Sequence, residues 1–263
     1  MKRLAIFLAG IVVSSSIFIA SCKKDSPDPN LPVLKLHPVN VKGKSGFVVY
    51  DTLDIAAPYG AKTLVISKTI NLVPDDNFGV KTATPESTGE NTYRYIFSYT
   101  YQPEEVDKLV GINFHFEDAK GNVAEKDLTV NTEASGAQNI YSHRWKLVSK
   151  LWTTIDPITE SIQDCEKDNY FHFNRDSTIT LDYGTQACLF DGFNIFDKWT
   201  LSADEKTFTQ TYHSIFDTTK VTTEVYNVQS LTKDKWVMDI ALDLSDFGLS
   251  DHEVFVYTYE AAD

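Results

Sequence analysis

The chain has 263 residues, of which 42 % are hydrophobic and 13 % aromatic, and this composition argues against general disorder. Its length favours two domains over one. The formal net charge is −13, and residues 135–263, with 10 basic and 21 acidic side chains, account for most of it. Because an acidic surface repels phosphate backbones, nucleic-acid binding is not expected. A solubilising surface is the simplest interpretation of this charge, and a cationic partner or Ca²⁺ is the alternative.

Residues 1–21 have the form of a secretory signal peptide. Lys2 and Arg3 form a positive start, an uncharged apolar stretch follows, and small residues close the segment. The apolar part has about 17 residues and contains three serines, whereas a membrane-spanning helix needs about 20. An uncleaved membrane anchor is therefore the less favoured alternative.

The segment Ile19-Ala20-Ser21-Cys22 resembles the bacterial lipobox, in which an aliphatic residue and two small residues precede a cysteine. The resemblance implies cleavage before Cys22 and lipidation of its thiol, which would attach the mature chain to the outer membrane. Residues 22–31 are polar and proline-bearing, and we interpret them as a flexible tether. The start of this tether resembles Bacteroidota lipoproteins, and both the periplasmic face and the cell surface remain open as locations.

The mature chain is predicted to be all-β, because short apolar-polar alternations recur with turn residues between them. The pattern in residues 32–134 predicts strands at Val33–Leu36, Phe47–Tyr50, Thr52–Ala56, Lys62–Lys68, Thr92–Thr100, Val110–Phe116 and Val123–Val130. Asp118 and Gly121 predict a tight turn before the last strand, with Asp118 as its cap. Calcium binding at Asp118 and Asn122 is the less favoured reading. A short helical turn is expected at residues 103–106.

The last hairpin of this region resembles those of immunoglobulin-like and polycystic-kidney-type modules of bacterial surface proteins. The resemblance implies an Ig-like β-sandwich over residues 32–134. Residues 134–139 are small, polar and strand-breaking, and we expect the domain boundary there.

Residues 141–263 are predicted to form a second β domain. Eight strands are expected at residues 144–151, 168–174, 177–183, 196–202, 206–213, 220–230, 234–242 and 252–260. Sequential antiparallel strands close naturally into an up-and-down barrel, since closure removes exposed edges. A two-layer sandwich is the structural alternative.

Several segments of this second region resemble the lipocalin-like domain of Bacteroidota lipoproteins: "RWKLVS" (144–149), "CEKDNYFHFNRDSTITLDYG" (165–184), Cys188 and "DKWTLSADEKTFT" (197–209). The resemblance implies an eight-stranded lipocalin-like barrel. Where that family usually has glycine, this chain has His143, Ser177, Asp197 and Glu205. The loss of the turn glycines costs little if Asn174, Asp176 or Asp204 takes the left-handed backbone conformation.

Three cysteines are present, and lipidation of Cys22 leaves the even pair Cys165 and Cys188. An exported protein occupies a disulfide-permissive compartment, so we predict a bond between these two, with free thiols as the alternative. Two cysteines without histidine at metal spacing make a poor zinc site, and no metal or cofactor is predicted.

Enzyme activity is not expected, because the sequence has no G-x-S-x-G, phosphate loop or dinucleotide fingerprint and its six histidines are scattered. A non-catalytic binding or structural role is predicted instead. A small apolar ligand would lie in the barrel. The expected lining residues are Trp145, Phe171, Phe173, Trp199 and Trp236, and the simpler interpretation is that these aromatics fill the interior. The alternatives are glycan binding through exposed Trp152, Tyr170 and Tyr257, and a spacer that presents the barrel to a protein partner.

Overall fold

The structure, a computed structural model, describes residues 28–262, whose regular secondary structure is mostly β-strand. The predicted signal peptide, Cys22 and the first part of the tether lie outside the described residues. Within residues 28–262, none of the helices is long and apolar enough to cross a membrane.

Two sheets make up the first part of the chain. One has the order β1 (Val33–Leu36), β3 (Val48–Ala56), β8 (Thr92–Thr100) and β7 (Glu86–Gly89). The other has the order β2 (Asn40–Lys44), β10 (Val123–Glu133), β9 (Val110–Asp118), β4 (Ala61–Ile70) and β5 (Val73–Pro74), with β6 (Lys81–Ala83) also paired to β4. The β2–β10 pair is parallel, and the other pairs are antiparallel.

The two sheets pack face to face over one apolar core. In β9 every second side chain is buried, including Phe114 and Phe116, and β3 contributes Leu53 and Ile55 from the opposite sheet. The rings of Phe97 and Phe114 meet across the core at 5.0 Å. This part is therefore a two-layer β-sandwich.

The turn between β9 and β10 is capped as the sequence predicts. The Asp118 carboxylate accepts hydrogen bonds from the backbone N–H groups of Lys120 and Asn122 at 2.9 and 2.8 Å, and Gly121 has φ +86°. The expected helical turn is a 3-10 turn at Pro103–Glu105. The predicted strands at 47–50 and 52–56 form one strand, β3. The sequence pattern did not predict β2, because Val41 is the only side chain that this strand buries.

The second part of the chain is a nearly closed eight-stranded antiparallel barrel, which confirms the up-and-down prediction. Its strands are β11 (Arg144–Trp152), β13 (Tyr170–Phe173), β14 (Ile179–Asp182), β15 (Asn194–Leu201), β16 (Thr207–Ser214), β17 (Asp217–Leu231), β18 (Lys235–Leu242) and β19 (Glu253–Ala262). Their order is β14-β13-β11-β19-β18-β17-β16-β15, and the short β12 (Thr159–Glu160) also pairs with β11. Two further 3-10 turns lie at Asp164–Glu166 and Ser245–Phe247.

The end strands of this order, β14 and β15, leave a gap that we call the seam. They are joined just before β14, where the Trp199 backbone N–H donates to the Ser177 oxygen at 2.9 Å. Towards the other end of the barrel the seam opens, because β14 ends at Asp182 and the chain makes a long loop before β15 begins.

A short helix, α1 (Gly136–Tyr141), precedes the barrel where the sequence predicts an irregular boundary. Ser135 caps it by accepting a hydrogen bond from the Gln138 N–H. Its Ile140 is fully buried in the barrel core, and the Trp145 indole donates to the Ile140 oxygen at 2.8 Å. The helix therefore packs against one end of the barrel.

A β-bulge in β11 changes which side chains face the interior. Trp145 and Leu147 point inward, the register then shifts between Leu147 and Ser149, and Trp152 joins the core side. Regular alternation from Trp145 and Leu147 would place Leu151 inward, but the extra residue exchanges the two faces of the strand, and Leu151 does not join the core.

Two turn residues adopt the left-handed conformation themselves. Ser177 has φ +70° and Glu205 has φ +60°, so these residues take the left-handed position, and Asn174, Asp176 and Asp204 do not. The backbone of each turn keeps its conformation although the glycine is missing.

Candidate ligand site at the barrel seam

Four of the five predicted lining residues pack together in the barrel core. Trp145, Phe173, Trp199 and Trp236 are all buried. The ring centroids of Phe173 and Trp236 are 5.5 Å apart, and those of Trp145 and Trp236 are 5.8 Å apart. Aromatic side chains fill the interior at this level.

The fifth residue, Phe171, lines a cavity of about 510 Å³ at the open part of the seam, which we call the seam pocket. Its walls come from β13 and β14 on one side, the start of β15 on the other, and the segments before β13 and β15. The lining residues are Gln163, Glu166, Asn169, Phe171, Leu181, Tyr183, Cys188, Leu189, Phe190, Asp191, Asn194 and Phe196.

A disulfide holds the two irregular segments of the seam pocket together. Cys165 and Cys188, the predicted pair, are bonded with their Cα atoms 5.3 Å apart. The Asp168 carboxylate adds a second link, accepting hydrogen bonds from the Thr185 backbone N–H at 2.7 Å and its hydroxyl at 2.9 Å. Gly184 passes so close to Asp168 that a Cβ atom there would lie 2.5 Å from it. Glycine is therefore required at this crossing.

The polar groups of the seam pocket are acidic or neutral. Asn169 is only 6 % exposed, and its Oδ1 has no hydrogen-bond partner within the described part of the chain. Glu166 accepts from the Gln163 N–H at 2.7 Å, and Asp191 accepts from the Cys188 N–H at 2.6 Å. No lysine, arginine or histidine belongs to the lining residues.

Exposed apolar side chains surround the mouth of the seam pocket. Phe190 and Phe216 are 70 % and 76 % exposed, and both contact Phe193, with ring centroids 5.7 and 5.2 Å away. The Ile215 N–H donates to the Phe193 oxygen at 2.9 Å, which places the β16–β17 turn beside the loop before β15. Together with Leu189, these residues make a continuous apolar rim.

The barrel interior also carries a tyrosine and carboxylate network on β16 and β17. The Tyr226 hydroxyl donates to Glu224 at 2.7 Å, and the Gln210 side-chain amide donates to the same carboxylate at 2.7 Å. Burial, with a further contribution from the charge of Glu224, raises the pKa of Tyr212 to about 12. The hydroxyl groups of Tyr212 and Tyr226 therefore stay protonated at neutral pH and donate hydrogen bonds to the Glu224 side chain.

The aromatics proposed for glycan stacking do not form an exposed platform. The Trp152 indole N–H donates to Glu253 at 2.7 Å, and its ring stacks on Phe255 at 5.3 Å. Tyr257 packs against the barrel core. The prediction that Trp152 and Tyr257 are exposed is wrong, because the β11 bulge turns Trp152 inward beside β19. Tyr170 is half-buried and lies under the Arg144 guanidinium at 5.1 Å.

The sandwich has its own buried charged cluster at the wall of a cavity of about 520 Å³. Lys68 follows Leu64 and Ile66 on the core side of β4, and its ammonium donates to Asp75 at 2.7 Å and to Glu105 at 2.5 Å. Burial lowers the pKa of Lys68, but the hydrogen bonds to the two carboxylates raise it by more, so the net shift is upward. The charges of this cluster satisfy one another, and we assign it a structural role.

Two comparisons with known proteins found no match. Neither a family model nor a curated protein matches the chain.

In residues 28–262, no group of three histidine, cysteine or acidic side chains is placed to hold a metal ion.

Two solved structures overlap with most of the chain at low similarity. The sporulation control protein Spo0M from Bacillus subtilis is 11 % identical, with 88 % of this chain and 89 % of that chain covered and a TM-score of 0.28. A DUF4466 family protein from Parabacteroides merdae is 10 % identical, with 89 % and 99 % covered and a TM-score of 0.31. At such TM-scores neither likeness carries an argument about fold or function.

Proposed function

We propose that the chain is an exported, lipid-anchored lipoprotein of the bacterial cell envelope whose barrel binds a small ligand without transforming it. The observation that carries the binding role is the seam pocket. Its 510 Å³ fall within the range of small-molecule sites, and it combines apolar walls with a few polar groups. Its two carboxylates, Glu166 and Asp191, each accept a hydrogen bond from a backbone N–H group at 2.7 and 2.6 Å, and this engagement in local structure supports a non-catalytic role.

The domain division at 32–134 and 141–263 is part of this proposal. It is supported by two separate hydrophobic clusters, one within residues 34–130 and one within residues 140–259. An Ig-like sandwich and a lipocalin-like barrel are the fold families we propose for the two halves. The left-handed conformations of Ser177 and Glu205, at positions where the lipocalin-like family has glycine, support the second assignment.

Ligand binding can be tested with N-phenyl-1-naphthylamine, a neutral apolar dye that fluoresces more strongly in apolar sites. The chain lacking residues 1–22 should enhance the dye emission, and Leu181→Trp, which fills the seam pocket, should abolish the effect. Val225→Trp places the same bulky side chain at an exposed barrel position and should leave it unchanged. Equal dye binding by both variants would refute the seam pocket as the site.

The anchor can be tested by membrane fractionation of cells that express the full chain. Cys22→Ala should move the protein from the membrane fraction to the soluble fraction, whereas the tether variant Ser26→Ala should not. Membrane association that survives Cys22→Ala would contradict the lipid anchor.

A further inference from the structure

We infer that the seam pocket selects organic cations, specifically amines with an aromatic or aliphatic body, and rejects carboxylates such as fatty acids. The inference rests on the proposed binding function of the pocket. It assigns the chemical class of ligand from the charge, the hydrogen-bonding groups and the walls of the pocket.

The charge of the lining residues points to a cation. Glu166 and Asp191 both contribute carboxylates, and no lining residue carries a positive charge. The nearest cation to Glu166 is Lys150, whose ammonium stands 3.5 Å away and lies over the Tyr257 ring instead of lining the pocket. A cleft lined by charges of one sign concentrates ions of the opposite sign, and a carboxylate ligand would be repelled.

A buried acceptor without a donor points to an N–H group on the ligand. Asn169 is more than nine-tenths buried, it lines the pocket, and its Oδ1 lacks a hydrogen-bond partner among the described residues. Leaving such an acceptor unpaired costs free energy, which a ligand N–H would recover. A primary ammonium carries three donors and can serve this amide and a carboxylate together.

The walls of the pocket suit the body of such a ligand. Phe171, Tyr183 and Phe196 present aromatic rings, and Leu181 adds an aliphatic surface. Aromatic faces attract ammonium groups as well as apolar surface. The exposed rim of Phe190 and Leu189 extends the apolar wall outward, so a longer body can leave through the mouth.

Calorimetric titration of three ligands with nearly the same body tests this inference: 2-phenylethylamine, 2-phenylethanol and 3-phenylpropionate. We expect the amine to bind at least tenfold more tightly than the alcohol, and the carboxylate to bind more weakly than either. The trimethylated amine keeps the charge but has no N–H donor, and we expect it to bind severalfold more weakly than the primary amine.

The double variant Glu166→Gln/Asp191→Asn removes both charges and keeps an amide oxygen as acceptor for each backbone N–H. It should lose the preference for the amine and retain binding of the alcohol, which shows that the pocket is intact. Glu260→Gln removes a charge from the exposed outer face of the barrel and should leave the preference unchanged.

The possible outcomes separate this inference from the proposed function. If the alcohol and the carboxylate bind as tightly as the amine, the cation selection is wrong while ligand binding stands. If none of the ligands binds and the dye does not either, the proposed function fails as well. Amine binding that persists in Leu181→Trp would overturn the inference, since it would place the cation site elsewhere.

Discussion

Replacing Lys68 by Met should destabilise the sandwich by about 3 kcal/mol at neutral pH, because removing one partner of a buried ion pair leaves charge uncompensated. Lys68 is 5 % exposed, and its partner Glu105 is 1 % exposed. Without the ammonium, Glu105 keeps hydrogen bonds from Tyr99 and Gln102 but has no cation. Asp75 lies at a cavity wall and can gain water, so we expect the lower end of the usual range of about 3–5 kcal/mol.

The dependence of this effect on pH has a definite sign. In the native protein the hydrogen bond from Lys68 lowers the pKa of Asp75, so its stabilisation is present at neutral pH and is lost as pH falls through the lowered pKa. The variant lacks this stabilisation at every pH. The difference in free energy of unfolding between the two proteins should therefore shrink as the pH falls from 7 to 3, below the ordinary carboxyl pKa of 3.8.

All four tryptophans lie in the barrel, at positions 145, 152, 199 and 236, and this distribution provides an internal control. In urea titrations, far-ultraviolet circular dichroism reports on both parts of the chain, whereas tryptophan fluorescence reports on the barrel. Lys68→Met should lower the transition detected by circular dichroism and leave the fluorescence midpoint in place if the two parts unfold separately.

Lys62→Met is the matched control, because Lys62 lies on the same strand and pairs with Glu117 at 2.7 Å while remaining 57 % exposed. A surface pair of this kind contributes about 0–1 kcal/mol. The double variant Lys68→Met/Glu105→Gln should recover part of the loss. The reasoning is refuted if Lys68→Met costs no more than Lys62→Met, or if its cost is the same at pH 3 as at pH 7.

Three further predictions concern the barrel. Ser177→Gly should stabilise it by roughly 0.5–1 kcal/mol in urea titration, because glycine adopts φ +70° without strain; a loss of stability would contradict this. Cys165→Ser/Cys188→Ser should lower the free energy of unfolding by about 3 kcal/mol, because the unfolded chain is no longer restricted by a closed loop. Urea titration measures this difference, and an unchanged unfolding midpoint would show that the bond does not form. Glu224→Gln should lower the pKa of Tyr212 from about 12, since a neighbouring negative charge opposes ionisation of the phenol; ultraviolet titration at 295 nm should show earlier tyrosinate formation, and an unchanged curve would argue against the contact.

The strands of both halves could be predicted from sequence wherever a core face alternates regularly. Ile112, Phe114 and Phe116 in β9 are an example, since each is buried and each is separated from the next by one residue. The sequence did not predict β2, because this strand pairs with β10 through its backbone and buries few of its own side chains. The sequence did not predict α1 either, because its six residues are too few to show helical periodicity and the Ser135 cap is its single sequence signal.

The candidate site was less predictable than the fold. Phe171 and the two cysteines were found, but most of the pocket is built from irregular segments at 163–169 and 183–194, whose places depend on tertiary contacts. Asn169 has no distinguishing pattern in the sequence, since its importance comes from being buried without a partner. Glu205 stands where the resemblance predicts a turn glycine, and nothing in that pattern indicates its contacts. Its carboxylate accepts a hydrogen bond from the Gly136 N–H at 2.7 Å and pairs with Lys44.

The bulge between Leu147 and Ser149 has a consequence for how this barrel tolerates changes in length. Val148 is the residue without a partner in the β19 register, so its removal would join two segments that already pair correctly, and Trp145, Leu147 and Trp152 would all stay inward. One residue added in the regular part of β11 would instead exchange the two faces beyond it, and Glu253 would lose its indole donor. A difference of one residue between homologues therefore has opposite meanings at the bulge and elsewhere on this strand, so the position of a gap is as informative as residue identity.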